Sequence, residues 1–420
     1  MSNEMVQLRV TPGRPAVMQS EDPQLVYLLV EASPAGIPDT GINVPVNLTL
    51  VLDRSSSMRG ERLFQVKEAC NQVVAKLHRQ DYFALVAFND RAEVVVPCQH
   101  PNNPDQIKRL IGAVEARGGT EMATGMVLGL QEIGRPMLSR GISRLVLLTD
   151  GRTYGDESRC VELARRAQAK GIGITALGVG DEWNEDLLET IAAAENSRTE
   201  YITSSTQIVQ VFAEELQRLH SVLAQQVEVR LHTIPGLEIR SLYRVRPFIA
   251  AMTPVPHSDS LWRMPLGDWT GREDQAFLIE ATVPPLALGP QTLMRIELRY
   301  EVPSVSSQPL ASTIDVTLPV KSPEQVSPDV DGVVKHWLER TVAYRLQASA
   351  WEHVERGNIE EATKKLRMAG TRLLEAGQGA LAQTVQEEAT RLLRSGSASD
   401  EGRKRIKYGT RGLMASERGK

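Results

Sequence analysis

The spacing of apolar residues changes three times along this chain, and each change marks a different kind of element. Between about residues 44 and 222 the apolar positions fall in short unbroken runs separated by stretches of helical spacing. Val46 to Asp53 is a near-continuous β-favouring run, and "RLFQVKEACNQVVAKL" after it places Leu63, Val66, Ala69, Val73 and Leu77 on one helical face. Further runs are "YFALVAFN" (82–89), "AEVVVP" (92–97), "SRLVLLTD" (143–150), "GITALGVG" (173–180) and "EYIT" (200–203). Strands buried on both faces require such runs. The spacing therefore predicts a mostly parallel sheet with helices on both sides, an α/β doubly wound domain.

On either side of this segment the period is two. "QVEVRLH" sets Val227, Val229 and Leu231 on one face, "LMRIELRYEV" does so with Met294, Ile296, Leu298 and Tyr300, and "TIDVTLPV" with Ile314, Val316 and Leu318. An antiparallel β-sandwich is expected over 223–322. "MVQLRV" alternates too, and "LVYLLVEA" (25–32) suits a strand beside it, so residues 1–43 are expected to contribute strands to that sandwich. The α/β domain, 44–222, would then be inserted in it or lie next to it.

From 328 to 395 the period is helical. Val334, Leu338, Val342, Leu346 and Ala350 lie four apart before "ERGNIEEA" interrupts, where Gly357 suits a left-handed residue and Asn358 with Glu361 suits the start of the next helix. Ile359, Ala362, Leu366, Ala369 and Leu373, then Leu381, Val385, Ala389 and Leu392, extend the pattern to a small helical bundle or hairpin array. Residues 396–420 are Ser/Gly-rich and then basic, and are expected to form a flexible tail.

Composition alters this picture little. A chain of 420 residues that is 41% hydrophobic can bury at least one large core, and a formal charge of -4 gives no global case for nucleic-acid or membrane binding. No apolar run approaches the ~20 residues that cross a bilayer, and "MSNEMVQLRV" lacks a basic region followed by an apolar one, so a cytoplasmic protein is expected. Cys70, Cys98 and Cys160 are scattered, which suggests neither a disulfide framework nor a thiolate metal site. The histidines (His78, His100, His220, His232, His257, His336 and His353) show no ligand spacing, and are expected at the surface or as satisfied core residues.

Candidate chemistry gathers at the strand ends. In an open parallel sheet, ligands collect beyond the carboxyl ends of the strands. Asp53 ends the first run and Asp150 the run "LVLLTD", while "GGTEMATG" supplies Thr120 and "DRSSSM" supplies Ser55 and Ser57. Asp53, Ser55 and Ser57 are two apart, so their side chains can converge in an extended turn while Ser56 points away. Two carboxylates and three hydroxyls, without Cys or His, make a hard oxygen site that suits Mg²⁺, or Mn²⁺ as the alternative, and disfavours zinc. A cation held largely by neutral hydroxyls stays electron-poor, and an outside carboxylate can complete its shell. Taken singly, each of these residues also suits a helix cap or an Asp-Gly turn.

The set D-x-S-x-S (Asp53, Ser55, Ser57), Thr120 after paired glycines and Asp150 in T-D-G resembles the metal-ion-dependent adhesion site of the von Willebrand factor A family, in its intracellular or prokaryotic form. The resemblance covers roughly residues 44–222. It implies a doubly wound sheet, Ser55 and Ser57 bound directly to a divalent metal, Thr120 direct in the ligand-bound form, and Asp53 and Asp150 acting largely through water. It also implies adhesion or scaffolding, with the metal bridging to an Asp or Glu of a protein partner. Met58, Arg59, Glu121 and Arg152, in the same loops, are expected to form the rim that meets the partner.

Two other functions compete with this one. "RKRIKYGTRGLM" sets Thr410 among positive charges, which would suit a kinase target whose phosphate is read by a forkhead-associated or similar phosphothreonine-reading domain. A Mg²⁺-dependent hydrolase or phosphotransferase is disfavoured: there is no G-x-x-x-x-G-K-[ST] and Ser55 stands where a second carboxylate would, though Arg54 and Arg152 could act as oxyanion partners. A binding module, not an enzyme, is expected.

Overall fold

The computed structural model describes residues 5–412 apart from 35, 38–43, 137–140, 193–197, 259, 272, 303–304 and 306–307. The chain divides into two compact units, one drawn from residues 1–40 and 223–412 and the other from 41–222.

The first unit contains two sheets. One runs in the order β1 (Gln7–Pro12), β3 (Gln24–Ser33), β15 (Gln275–Val283), β11 (Glu238–Arg246), β12 (Ala250–Met252). The other runs β13 (Val255–Ser258), β14 (Leu261–Thr270), β10 (Val222–Thr233), β16 (Gly289–Glu301), β17 (Leu310–Lys321), β2 (Val17–Met18). β3 pairs antiparallel with β1 and β15, and β2 pairs parallel with β17, so strands from both sides of the α/β segment build these sheets. Period-two alternation assigns the faces. Leu28 and Val30 share a core with Val229, Leu231, Ile296 and Leu298 of the other sheet, which makes the pair a sandwich. Leu29 and Leu278 belong to a separate cluster with Val334 and Trp337 of α7 (Gly332–Glu355), which explains why "LVYLLVEA" is apolar at successive positions.

The helical region continues with α8 (Ile359–Glu375), α9 (Gly379–Ser395) and α10 (Asp400–Arg411). Ala350 and Trp351, Leu366 and Leu373, Val385 and Leu392, and Ile406 bring all four helices into one core. The chain reverses between α7 and α8 at Gly357, whose φ of 76° only glycine adopts without strain. Asn358 occupies the N-cap position of α8, but its side chain makes no capping bond.

The flexible tail expected over 396–420 is corrected for its described part, because 400–411 is a packed helix. Ser399 caps α10, accepting from Gly402 N–H at 2.9 Å, and donates its own hydroxyl to Glu388 at 2.7 Å. A side chain at Gly402 would meet the Glu388 carboxyl carbon at 2.3 Å, so glycine permits the close approach of α9 and α10. The run of basic residues hid the helix because Ile406 and Tyr408, both buried, stand between charges that pair outward, such as Arg405 with Glu401 at 2.6 Å. Residues 413–420 lie outside the described residues.

The second unit is a sheet in the order β6 (Ala92–Gln99), β5 (Tyr82–Phe88), β4 (Val46–Asp53), β7 (Ile142–Thr149), β8 (Gly173–Val179), β9 (Arg198–Ile202). It is parallel except for the antiparallel edge strand β6. Every residue of β4 is buried. On one face Leu48, Leu50 and Val146 share a core with Val66 and Val73 of α1 (Glu61–Lys76) and Phe212 of α6 (Ile208–His220). On the other face α3 (Met122–Ile133) lies close to the sheet: a side chain at Gly129 would meet Val51 at 2.5 Å, and one at Gly125 would meet Phe88 at 2.7 Å. The helices α2 (Pro104–Gly112), α4 (Glu157–Gln168) and α5 (Glu185–Ile191) complete the unit. Strand order reverses beside β4, where β5 lies on one side and β7 on the other, so the crevice beyond Asp53 and Asp150 is a topological switch point.

Candidate metal centre

The loop after β4 turns at once, with Ser55 N–H donating to Asp53 Oδ1 at 2.7 Å. Thr149, the last residue of β7, donates its hydroxyl to Asp53 Oδ2 at 2.6 Å, so both carboxylate oxygens are held. Ser55 Oγ lies 2.9 Å from Ser57 Oγ, and Ser57 Oγ donates to Asp150 Oδ1 at 2.7 Å. The other oxygen of Asp150 accepts from the Arg62 guanidinium. Thr120 reaches the same place: a side chain at Gly151 would lie 3.5 Å from Thr120 Oγ1 and 4.0 Å from Ser57 Oγ. The structure thus brings all five residues together at one sheet edge.

Neighbouring backbone fixes the three loops to each other. Ser56 points away from the carboxylates and donates both its N–H and its hydroxyl to Gly118 O, at 2.9 and 3.0 Å. Arg117 N–H donates to Arg54 O at 2.8 Å, and Glu121 N–H to Asn89 O at 2.8 Å. Asp90 Oδ1 accepts from Gly119 N–H at 2.9 Å, and the left-handed Gly118 packs so close to Asp90 that a side chain there would meet it at 2.3 Å.

Capping does not account for these side chains. The short 3-10 turn Ser56–Met58, α1 and α3 all begin without a side-chain cap from Ser55, Gly60 or Glu121. The first turn of α3 is instead served by Asp156, whose carboxylate accepts from Ala123 N–H at 2.7 Å. Asp53, Ser55 and Asp150 are buried, while Ser57 is exposed and Thr120 half-buried, so the oxygens form a cup with a buried floor and an open wall. Burial pushes the Asp53 carboxyl up to about 6 against the pull of hydrogen bonds from Thr149 and Ser55, with the Asp150 charge adding to the rise. The donor set contains oxygen alone. Adjacent oxygens of an octahedral shell with Mg²⁺–O of about 2.0–2.1 Å lie about 2.9 Å apart, and the 2.9 Å between Ser55 and Ser57 matches that edge. These residues fit a hard divalent cation.

Several expectations need correction. Met58 is fully buried in the core with Val66 and Leu50, because the 3-10 turn directs its apolar side chain beneath the loop, so it is not a rim residue. Arg59, Glu121 and Arg152 are exposed. Arg54 is buried and paired with Glu93 at 2.6 Å on β6, which removes it from any role as an oxyanion partner. Thr410 is 2% exposed, on the inner face of α10, and donates to Lys407 O at 3.1 Å, so no kinase reaches it in this fold. Thr149 and Arg62 were missed. A buried hydroxyl closing an otherwise apolar run marks Thr149, whereas Arg62 becomes a site residue only through the phase of α1.

The fold and site define a doubly wound α/β domain with an oxygen-rich cup at its switch point. Residues 47–215 match the von Willebrand factor type A domain, and residues 332–416 match the Sll0103-like, C-terminal alpha-helical domain. Residues 47–215 are a von Willebrand factor type A domain, and a C-terminal helical domain follows later in the chain. It is 29% identical over 369 residues to the uncharacterized protein sll0103 of Synechocystis sp., covering 87% of each chain. It is 25% identical to the uncharacterized protein YfbK of Escherichia coli over 195 residues, 45% of this chain and 34% of that one. Among solved structures, a von Willebrand factor type A protein from Catenulispora acidiphila superposes with a TM-score of 0.78 at 18% identity, covering 98% of both chains. The ArnB paralog VWA2 from Sulfolobus acidocaldarius superposes at 0.59 with 14% identity, covering 97% of this chain and 99% of that one. These two likenesses concern the fold.

Proposed function

We propose that the α/β unit is a metal-dependent protein-binding module: Asp53, Ser55, Ser57, Thr120 and Asp150 hold a divalent cation, and a partner protein presents an Asp or Glu side chain to it. The observation that carries this reading is the chain of oxygens from Ser55 through Ser57 to Asp150, at 2.9 and 2.7 Å, drawn from two loops and serving no helix cap. Mg²⁺ is the proposed ion, with Mn²⁺ as the alternative, since the donors are oxygen alone. The bound cation supplies an electron-poor centre for an outside carboxylate. Asp53 and Asp150 provide buried negative charge, and Thr149 with the Ser55 amide fixes the orientation of Asp53. Ser55 and Ser57 contribute neutral oxygens, so less of the cation's charge is cancelled within the chain. Arg59, Glu121 and Arg152, exposed in the same loops, are the proposed contacts to the partner.

The proposed role is that of a scaffold that binds without making or breaking bonds. The cytoplasm is the proposed setting, in keeping with free thiols at Cys70, Cys98 and Cys160. The test loads the metal-stripped chain with Mn²⁺ and follows water-proton relaxation while acetate is added. Acetate should displace water from the bound ion and lower the enhancement in wild type. An enhancement that acetate leaves unchanged would contradict carboxylate capture, and turnover of a generic phosphate ester that is lost in Asp53→Ala would replace binding with catalysis.

A further inference from the structure

The edge of the α/β sheet opposite Asp53 gathers a second group of ligating atoms. Asp81 lies just before β5, His78 just after α1, and His220 is the last residue of α6. His78 Nδ1 or Nε2, a carboxylate oxygen of Asp81 and a ring nitrogen of His220 all lie within 4.8 Å of one another. His220 Nε2 is 2.9 Å from Asp81 Oδ2, and His78 Nδ1 is 3.8 Å from the same oxygen. The two imidazoles face each other with centroids 4.2 Å apart and planes tilted by 30°. Both histidines are partly buried, and 142 positions separate them, so no local spacing reveals the pair.

Two features point to a ligand. The Asp81 carboxylate is fully buried and set in place by backbone, with Oδ1 accepting from Val46 N–H at 2.9 Å and Oδ2 from His78 N–H at 2.7 Å. Meanwhile His78 Nδ1 is shut off from solvent and has no hydrogen-bond partner among the described residues, although it faces that carboxylate. A buried ring nitrogen without a partner is costly, and ligation would remove the cost. His100 adds an outer contact, its Nδ1 lying 2.9 Å from the Asp81 carbonyl oxygen.

We propose that His78, Asp81 and His220 bind a divalent transition ion of the zinc type, with two imidazole nitrogens and one carboxylate oxygen as protein ligands and a further position left for water or another donor. Imidazole donors separate this site in chemistry from the oxygen-only cup at the other edge, so one domain sorts two classes of cation. The site also has a structural consequence. Val46 opens β4, His220 closes α6, and both converge on Asp81, so the bound ion fastens the first strand of the unit to its last helix.

The test titrates Co²⁺, then competing Zn²⁺ and Mg²⁺, into the metal-stripped full chain and reads the visible d–d bands of low-coordinate cobalt. Bands should appear in wild type and in Asp53→Ala, vanish with Zn²⁺, persist with Mg²⁺, and require at least about tenfold more Co²⁺ in His78→Ala. His78→Ala is chosen because it leaves the amide bonds to Asp81 and the His220 contact intact; circular dichroism verifies its fold. Zn²⁺ should raise the melting temperature of wild type and not of His78→Ala. The proposal is overturned if wild type shows no bands, if His78→Ala binds as wild type does, which would leave a hydrogen-bond network only, or if the bands are lost in Asp53→Ala, which would assign the ion to the other edge.

Discussion

Ser57 donates a 2.7 Å hydrogen bond to Asp150 across 93 positions of sequence, joining the loop after β4 to the end of β7. Asp150→Asn keeps the volume and an acceptor for Ser57 while removing the charge. The fold should be retained and the Mn²⁺ affinity should fall at least tenfold, about 1.4 kcal/mol. Counting free Mn²⁺ by electron paramagnetic resonance checks this; an unchanged affinity would separate Asp150 from the site.

Arg62 pairs with the other oxygen of Asp150, and its own side chain is partly exposed. Its guanidinium and a divalent cation therefore compete for the same buried charge. Arg62→Ala should strengthen Mg²⁺ binding about tenfold, or about 1.4 kcal/mol, and lower the melting temperature in EDTA. Weaker Mg²⁺ binding in this variant would mean that Arg62 supports the cation site.

Thr410 lies against the inside of the helical bundle at 2% exposure. A charge placed there has no solvent, so Thr410→Glu should destabilise the chain by about 3 kcal/mol or more, measured by denaturant unfolding, whereas Thr410→Ser should be mild. A stable, fully folded Thr410→Glu protein would restore the exposed tail.

Leu366 is fully buried in the core shared by α7, α8, α9 and α10. Leu366→Ala should cost about 2–5 kcal/mol in the unfolding of the helical region. Mg²⁺ affinity should be unaffected, since residues that share no partners act additively. A coupled loss of binding would show that the helical domain acts on the cup.

Glu228 on β10 is held by Arg230 and Arg263 at 2.5 Å each. Burial pushes its carboxyl up, but the hydrogen bonds and charges of the two arginines outweigh this and hold it below the usual range. A depressed folded value means that the stabilisation is complete above the unfolded value of about 4.3 and is lost as pH falls through the folded one. Glu228→Gln should therefore flatten that part of the acid-unfolding curve, lowering stability above pH 6 and leaving it nearly unchanged at pH 2. An identical acid limb in both proteins would contradict it.

How much of this was legible in the sequence depended on the range of the contact. β4 is a near-continuous β-favouring run ending in Asp53, and β7 carries the apolar run Leu145 to Leu148 just before Thr149 and Asp150, so the sheet and the order of its acids follow from local pattern. Thr120 was recognisable by its paired glycines, and Gly118 is indeed left-handed against Asp90. Met58 misled because position in a loop does not show that a turn folds its side chain inward. The α10 helix was hidden because charge dominates its composition while two residues, Ile406 and Tyr408, anchor it. His78 and His220 were invisible as a pair, since only the closure of α6 against the loop before β5 brings them to Asp81.

The most direct test of the central claim is calorimetric titration of Mg²⁺ into the metal-stripped full chain, for wild type, Asp53→Ala and Ser55→Ala, each with and without acetate. Binding at one site in wild type, tightened by acetate and lost in both variants, is the predicted result. Equal binding in the variants, or none in wild type even with acetate present, would show that the Asp53, Ser55, Ser57, Thr120 and Asp150 cluster is not a cation site.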